Sequence, residues 1–154
     1  PLEDSELAMR VLSDRGQCLV ASPALVERCG GRPMGPADLA AWPSMDRWAP
    51  QEVHRWVLLG PEGACAEVRH SPRYVTGSLF ALRDAAVAGV GVVQLPRMVI
   101  ERERASGALA EVLPGWEPRR EIIHCVYASR RGQLPTVRAL IDFLVQEFAR
   151  LEED

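Results

Sequence analysis

Apolar residues fall into short runs along the chain, and both the spacing of the runs and the turn-formers between them predict an alternation of strands and helices. Gln17–Ala21 is a compact apolar run that predicts a short buried strand. Ser22-Pro23 opens a helix, with Ser22 able to cap it and Pro23 in the tolerated first position, and Gly30-Gly31 stops it. Pro36–Ala41 is a brief helical turn ended by Trp42-Pro43. Arg55–Leu59, the turn Gly60-Pro61-Glu62-Gly63 and residues 64–69 read as a β-hairpin with a longer loop, and residues 74–76 as another short strand.

The second half follows the same grammar. Ser78 caps a helix whose buried stripe is Leu79, Leu82, Ala85, Ala86 and Ala88-Gly89, with Gly89 closing it at the first position beyond the cap. Residues 90–95 follow at once as an apolar strand. Pro96 opens a second helix over 97–105, Gly107 ends it, and residues 109–113 are strand-like. Residues 121–127 form the last strand. The final helix runs from Pro135 to about Arg150, with Val137, Leu140, Ile141, Leu144, Val145, Phe148 and Leu151 at i, i+3, i+4, i+7 spacing, so one face must be buried. A lone strand cannot cover a helix of that length. Part of this lobe is therefore expected outside the chain, or from a neighbouring chain. Helix, strand, helix, strand with minimal loops is the pattern of an α/β sheet with crossover helices.

A chain of 154 residues with 47% apolar and 25% charged residues is one ordinary globular domain. Its apolar runs stop well short of the ~20 residues of a membrane span. The stretch Pro1-Leu2-Glu3-Asp4-Ser5-Glu6 has neither the basic flank nor the apolar core of a secretory signal, and without a starting Met it reads as the beginning of a fragment. The net charge of −3 lacks the basic excess of a DNA-binding domain, and all 18 basic residues are arginine, a mark of a GC-rich genome rather than of phosphate recognition. Cys18, Cys29, Cys65 and Cys125 have no repeating spacing. Cys18 and Cys125 sit in apolar runs where thiols act as small hydrophobes, which fits a reduced, cytoplasmic chain.

Little in the sequence carries chemistry. Gly89-Val90-Gly91 ends a helix and opens a strand, the reverse of a dinucleotide fingerprint. His54, His70 and His124 show no close pairing with one another or with acids, so no metal site is expected. No serine has an evident nearby base, so no catalytic residue is assigned and an enzyme is not expected. Trp42, Trp48, Trp56 and Trp116 read as core or loop anchors. One positive feature remains: Thr76-Gly77-Ser78 joins a strand end to a helix N-terminus, a receptor for anions through free N–H groups and the helix dipole. Simple capping by Ser78 explains the same residues without a ligand.

The run Ala81-Leu82-Arg83-Asp84-Ala85-Ala86-Val87-Ala88-Gly89-Val90-Gly91-Val92-Val93-Gln94-Leu95-Pro96 resembles the effector domain of LysR-type transcription regulators. So do, in the same order, Leu19-Val20-Ala21-Ser22-Pro23, Pro36-Ala37-Asp38-Leu39, Leu113-Pro114-Gly115-Trp116, Val126-Tyr127-Ala128-Ser129-Arg130-Arg131 and Val137-Arg138-Ala139-Leu140-Ile141-Asp142-Phe143-Leu144. The resemblance covers essentially the whole chain. It implies an α/β fold like that of type 2 periplasmic-binding proteins, two lobes with the effector held between them, the second lobe complete and the first partial. Residues 1–16 would close the first lobe and cross over, 17–106 form the second lobe, and 107–154 cross back and complete the C-terminal part of the first, with crossovers near Leu7–Ser13 and 109–113. It further implies ligand contacts at Thr76, Gly77, Ser78 and Tyr127, no cofactor, a small anionic metabolite as effector, a dimer or tetramer in the intact protein, no membrane, and DNA contact only through a winged helix-turn-helix domain absent here. Family members often carry Asn-Asp or Ser-Asn at the turn, so Thr76-Gly77 leaves ligand preference open. A solute-binding receptor of a transport system with the same fold is the alternative. Another copy could also pair with an exposed sheet edge of the fragment.

Overall fold

The computed structural model describes residues 7–14, 16–48, 53–120, 122–128 and 134–153. The chain divides into two compact units, Gly16–Arg119 and the pair of segments Pro1–Arg15 and Arg120–Asp154.

In the larger unit the strand β2 (Gln17–Ala21) is buried at every position, because both of its faces carry a core. Cys18 and Val20 point to one side and Leu19 and Ala21 to the other, as the two-residue period of a strand requires. β2 pairs antiparallel with β7 (Val93–Pro96) and with β8 (Ala110–Glu111). β3 (Ser44–Arg47) and β6 (Pro72–Thr76) run parallel, and a bridge between Ser44 and Val92 carries the sheet across, giving the order β8-β2-β7-β3-β6. On one face lies α2 (Leu79–Val87), whose Leu82 and Ala86 meet Met45, Val93 and Leu95. On the other face lie α1 (Pro23–Arg28) and the hairpin of β4 (Arg55–Leu59) and β5 (Cys65–Arg69), through Leu25, Trp56, Leu58 and Val68. β9 (Glu117–Pro118) extends the hairpin sheet at Leu58 and Leu59. Each fully buried Leu here contributes ~1.5–3 kcal/mol.

Several expected elements take a different form. The helix expected over 97–105 is a 3-10 turn, Arg97–Val99, followed by α3 (Glu101–Ala105). Ile100 breaks it with φ −121° because this β-branched side chain is driven wholly into the core. The strand expected over 90–95 begins only at Val93, since Gly91 slides past the chain at Pro43 and Ser44: an added Cβ would sit 3.0 Å from the Pro43 carbonyl oxygen. Of residues 109–113 only Ala110–Glu111 are strand, and the stretch 107–119 packs within the larger unit through buried Leu109, Val112 and Leu113. β3 and β9 carried no strand signal in the sequence, and β1 (Leu7–Ser13) was expected there only as a crossover implied by the resemblance.

In the smaller unit, β1 pairs antiparallel with β10 (Ile123–Ala128), with Met9 opposite Val126. The expected start of that strand at Glu121 and the Ser129-Arg130-Arg131 motif lie outside the described residues. α4 (Pro135–Glu153) buries Ile141 and half-buries Leu144, Val145 and Phe148, while Leu140 remains 55% exposed. Two strands are too narrow to cover the stripe, so its expected burial is met only in part.

Candidate functional site

β3 and β6 are parallel, so their carboxyl ends share one edge of the larger unit, the edge where open α/β sheets receive ligands. β6 ends at Thr76 and α2 begins two residues later. Ser78 adopts the extended conformation of a cap (φ −91°, ψ 114°), and its Oγ accepts the Ala81 N–H at 3.3 Å. Thr76 Oγ1 accepts the Ser78 N–H, also at 3.3 Å. The N–H groups of Leu79 and Phe80 lie in the first helical turn, which offers them no carbonyl. The aligned peptide dipoles place roughly half a positive charge there. Gly77 and Ser78 are exposed, and an added Cβ on Gly77 would meet none of the described residues within 4 Å. Arg47, paired in register with Thr76, adds an exposed cation at the same edge. An anion can reach this turn from solvent.

Thr76, Gly77 and Ser78 thus form one continuous open turn. Tyr127 lies in the smaller unit, half-buried on β10 opposite Ala8. Among the described residues of that unit nothing sets Tyr127 apart, and its expected role rests on the resemblance alone.

The expectation that the histidines are unpaired is overturned. His54 Nδ1 lies 2.7 Å from Asp46 Oδ2, and His70 Nε2 lies 3.7 Å from the same oxygen. His70 Nδ1 is 2.9 Å from Ser44 Oγ, and its ring stacks on Trp56 with centroids 3.9 Å apart. The hairpin brings this about: Arg55 pairs with Arg69, and the His70 N–H donates to the His54 carbonyl, so the two histidines meet across its open end. Burial pushes His70 down to about 4, against the pull of the Asp46 carboxylate, so it is neutral near pH 7. Ser44 therefore does have a histidine within reach, contrary to the sequence reading. Yet Ser44 and the His70 side chain are both shielded from solvent, and the ring meets the hydroxyl through Nδ1. The arrangement braces the core and presents no nucleophile. Among the described residues no group of three His, Cys, Asp or Glu is placed to hold a metal ion. No described helix is long and apolar enough to cross a membrane. Beside His70 lies a shallow hollow of about 460 Å³, lined by Trp42, Pro43, Arg69, Ser71 and Arg73.

The family model of the LysR substrate binding domain matches residues 1–149. The chain belongs to this family. A transcriptional regulator of the helix-turn-helix type from Haemophilus influenzae is 30% identical over 131 residues, which cover 84% of this chain and 44% of that one. PtxR, a transcriptional regulator of Pseudomonas aeruginosa, is 30% identical over 149 residues, 96% of this chain and 46% of its own length. The LysR domain here thus spans less than half the length of these relatives. Among solved structures, the regulatory domain of AphB from Vibrio vulnificus is 26% identical with a TM-score of 0.76, over 96% of this chain and 71% of that one. CrgA, a LysR-type regulator of Neisseria meningitidis, is 27% identical with a TM-score of 0.79, over 96% of this chain and 49% of that one. These matches establish the mixed α/β fold of LysR regulatory domains, of the periplasmic-binding-protein kind, and an effector-binding regulatory role for the domain. They favour a regulator over a transport receptor, and the relatives are transcription regulators, not enzymes.

Proposed function

We propose that this LysR domain senses a small organic anion, bound at the Thr76–Gly77–Ser78 turn, and that the signal controls DNA binding by a winged helix-turn-helix domain of a longer, dimeric or tetrameric cytoplasmic regulator. The observation that carries the reading is the open first turn of α2 at the shared carboxyl edge of β3 and β6, where the helix offers the N–H groups of Leu79 and Phe80 no carbonyl and, among the described residues, nothing lies within 4 Å of a Cβ added to Gly77. A carboxylate there would accept two backbone N–H bonds and complement the helix dipole. The effector biases the regulator only by its differential affinity for two states, typically ~1–3 kcal/mol. No catalytic step is assigned, because Ser44 and the His70 ring are both shielded from solvent.

The test begins with a thermal-shift screen of organic carboxylates and phosphates. Calorimetry then compares the strongest stabiliser on the parent and on the double variant Ser78→Ala, Gly77→Val. Gly77 has no positive φ, and a Cβ added there meets no described residue within 4 Å, so valine fits the unliganded turn and obstructs an incoming molecule. Affinity should fall at least tenfold. Unchanged affinity sinks the site.

A further inference from the structure

We propose that Asp46 is a positioning residue for the α2 turn: clamped by His54, it holds the carboxyl end of β3 against Thr76, and the protonation of this pair is felt at Ser78. The geometry is a relay of hydrogen bonds joined by short lengths of backbone. The His54 Nδ1–H donates to Asp46 Oδ2 at 2.7 Å, and Asp46 Oδ1 accepts the Arg47 N–H at 2.8 Å. Arg47 sits in register with Thr76, and the Trp48 N–H donates to the Thr76 carbonyl at 3.0 Å. Thr76 Oγ1 then accepts the Ser78 N–H, and Ser78 Oγ accepts that of Ala81. One carboxylate therefore ties the residue preceding β4 to β3, the strand paired with β6 that leads into the turn; the links through Asp46 are 2.7 and 2.8 Å and those at the turn 3.3 Å.

The surroundings isolate the pair. His70, on the other side of Asp46, is braced by Ser44 and Trp56, and burial keeps it neutral until about pH 4, so a titration seen at the turn near neutrality cannot come from it. On the hairpin, Arg55, Glu67 and Arg69 pair with one another at 3.2 and 3.3 Å on the face opposite Trp56. Arg47 on β3 and Arg73 on β6 are exposed. The functional weight of the coupling rests on the turn being the effector site, but the coupling itself does not.

The experiment is a pH titration of the whole chain by NMR, from pH 8 to pH 5, following the histidine rings together with the amides of Trp48, Gly77 and Ser78. These amides should move with the midpoint of the His54 ring, and His54→Gln should abolish that movement while His124→Gln leaves it intact. Amides of Val20 and Val93, central in the sheet, report that the fold persists. Asp46→Asn should also abolish it, and should that variant fail to fold, His54→Gln alone decides, since His54 is partly exposed. Amides that ignore the His54 midpoint, or that titrate unchanged in His54→Gln, overturn the proposal. Neither outcome touches the calorimetric test of the turn, so the two readings fail separately.

Discussion

Replacing His70 by Phe should flatten the acid sensitivity of the larger unit. The ring is fully enclosed against Trp56, and burial lowers its pKa from 6.5 to about 4. Above pH 6.5 both folded and unfolded chains hold the ring neutral. As pH falls from 6.5 towards 4, the unfolded chain binds a proton that the folded one refuses, so stability is lost across that window. The loss through this ring is about 2 kcal/mol by pH 5 and about 3 kcal/mol once pH is below 4. Phe keeps the stacking surface but leaves the buried Ser44 hydroxyl without its partner, a cost of ~1–3 kcal/mol at pH 7.5. The variant is then the less stable protein at pH 7.5, and the gap narrows by about 2 kcal/mol at pH 5. Urea unfolding followed by tryptophan fluorescence reads this directly, because Trp42, Trp48, Trp56 and Trp116 all belong to the larger unit. An equal gap at both pH values would refute the assignment of the buried neutral ring.

Three further outcomes follow from packing and chemistry. Gly60→Ala would place a Cβ 2.8 Å from the Trp116 ring and should cost ~1–3 kcal/mol, measured as a lower urea midpoint at unchanged slope. Ser78→Ala alone removes the α2 cap and should cost about 1 kcal/mol in the same assay. Peptide mapping after brief iodoacetamide treatment should find Cys65 alkylated and Cys18 untouched, since Cys65 is exposed while burial pushes the Cys18 thiol up to about 11; equal labelling of the two would contradict the burial of β2.

The α2 turn was legible because its signals are local. A strand end, a glycine, a capping serine and a helical stripe lie within a dozen residues, and each constrains the next. The Asp46–His54–His70 group was not, because it depends on register. Once Leu59 is known to face Cys65, the ladder places Arg55 against Arg69 and His54 against His70, but hairpin register with a loop of this length is a tertiary outcome. β3 was missed for a related reason: Ser44, Met45, Asp46 and Arg47 carry one apolar residue in four, and what makes them a strand is parallel pairing with β6 and the bridge at Val92. The helix expected over 97–105 failed because burial of Ile100 outweighs helical continuity. At α4 the apolar stripe was plain, and so was the shortage of sheet to cover it.

The most direct test of the effector site is a backbone-amide NMR titration of the chain with the strongest stabilising anion from the thermal-shift screen. The largest shifts should fall on Ser78, Leu79 and Phe80 and vanish in Gly77→Val. Largest shifts around Arg69, Ser71 and Arg73, or shifts at the α2 turn that survive Gly77→Val, would contradict it.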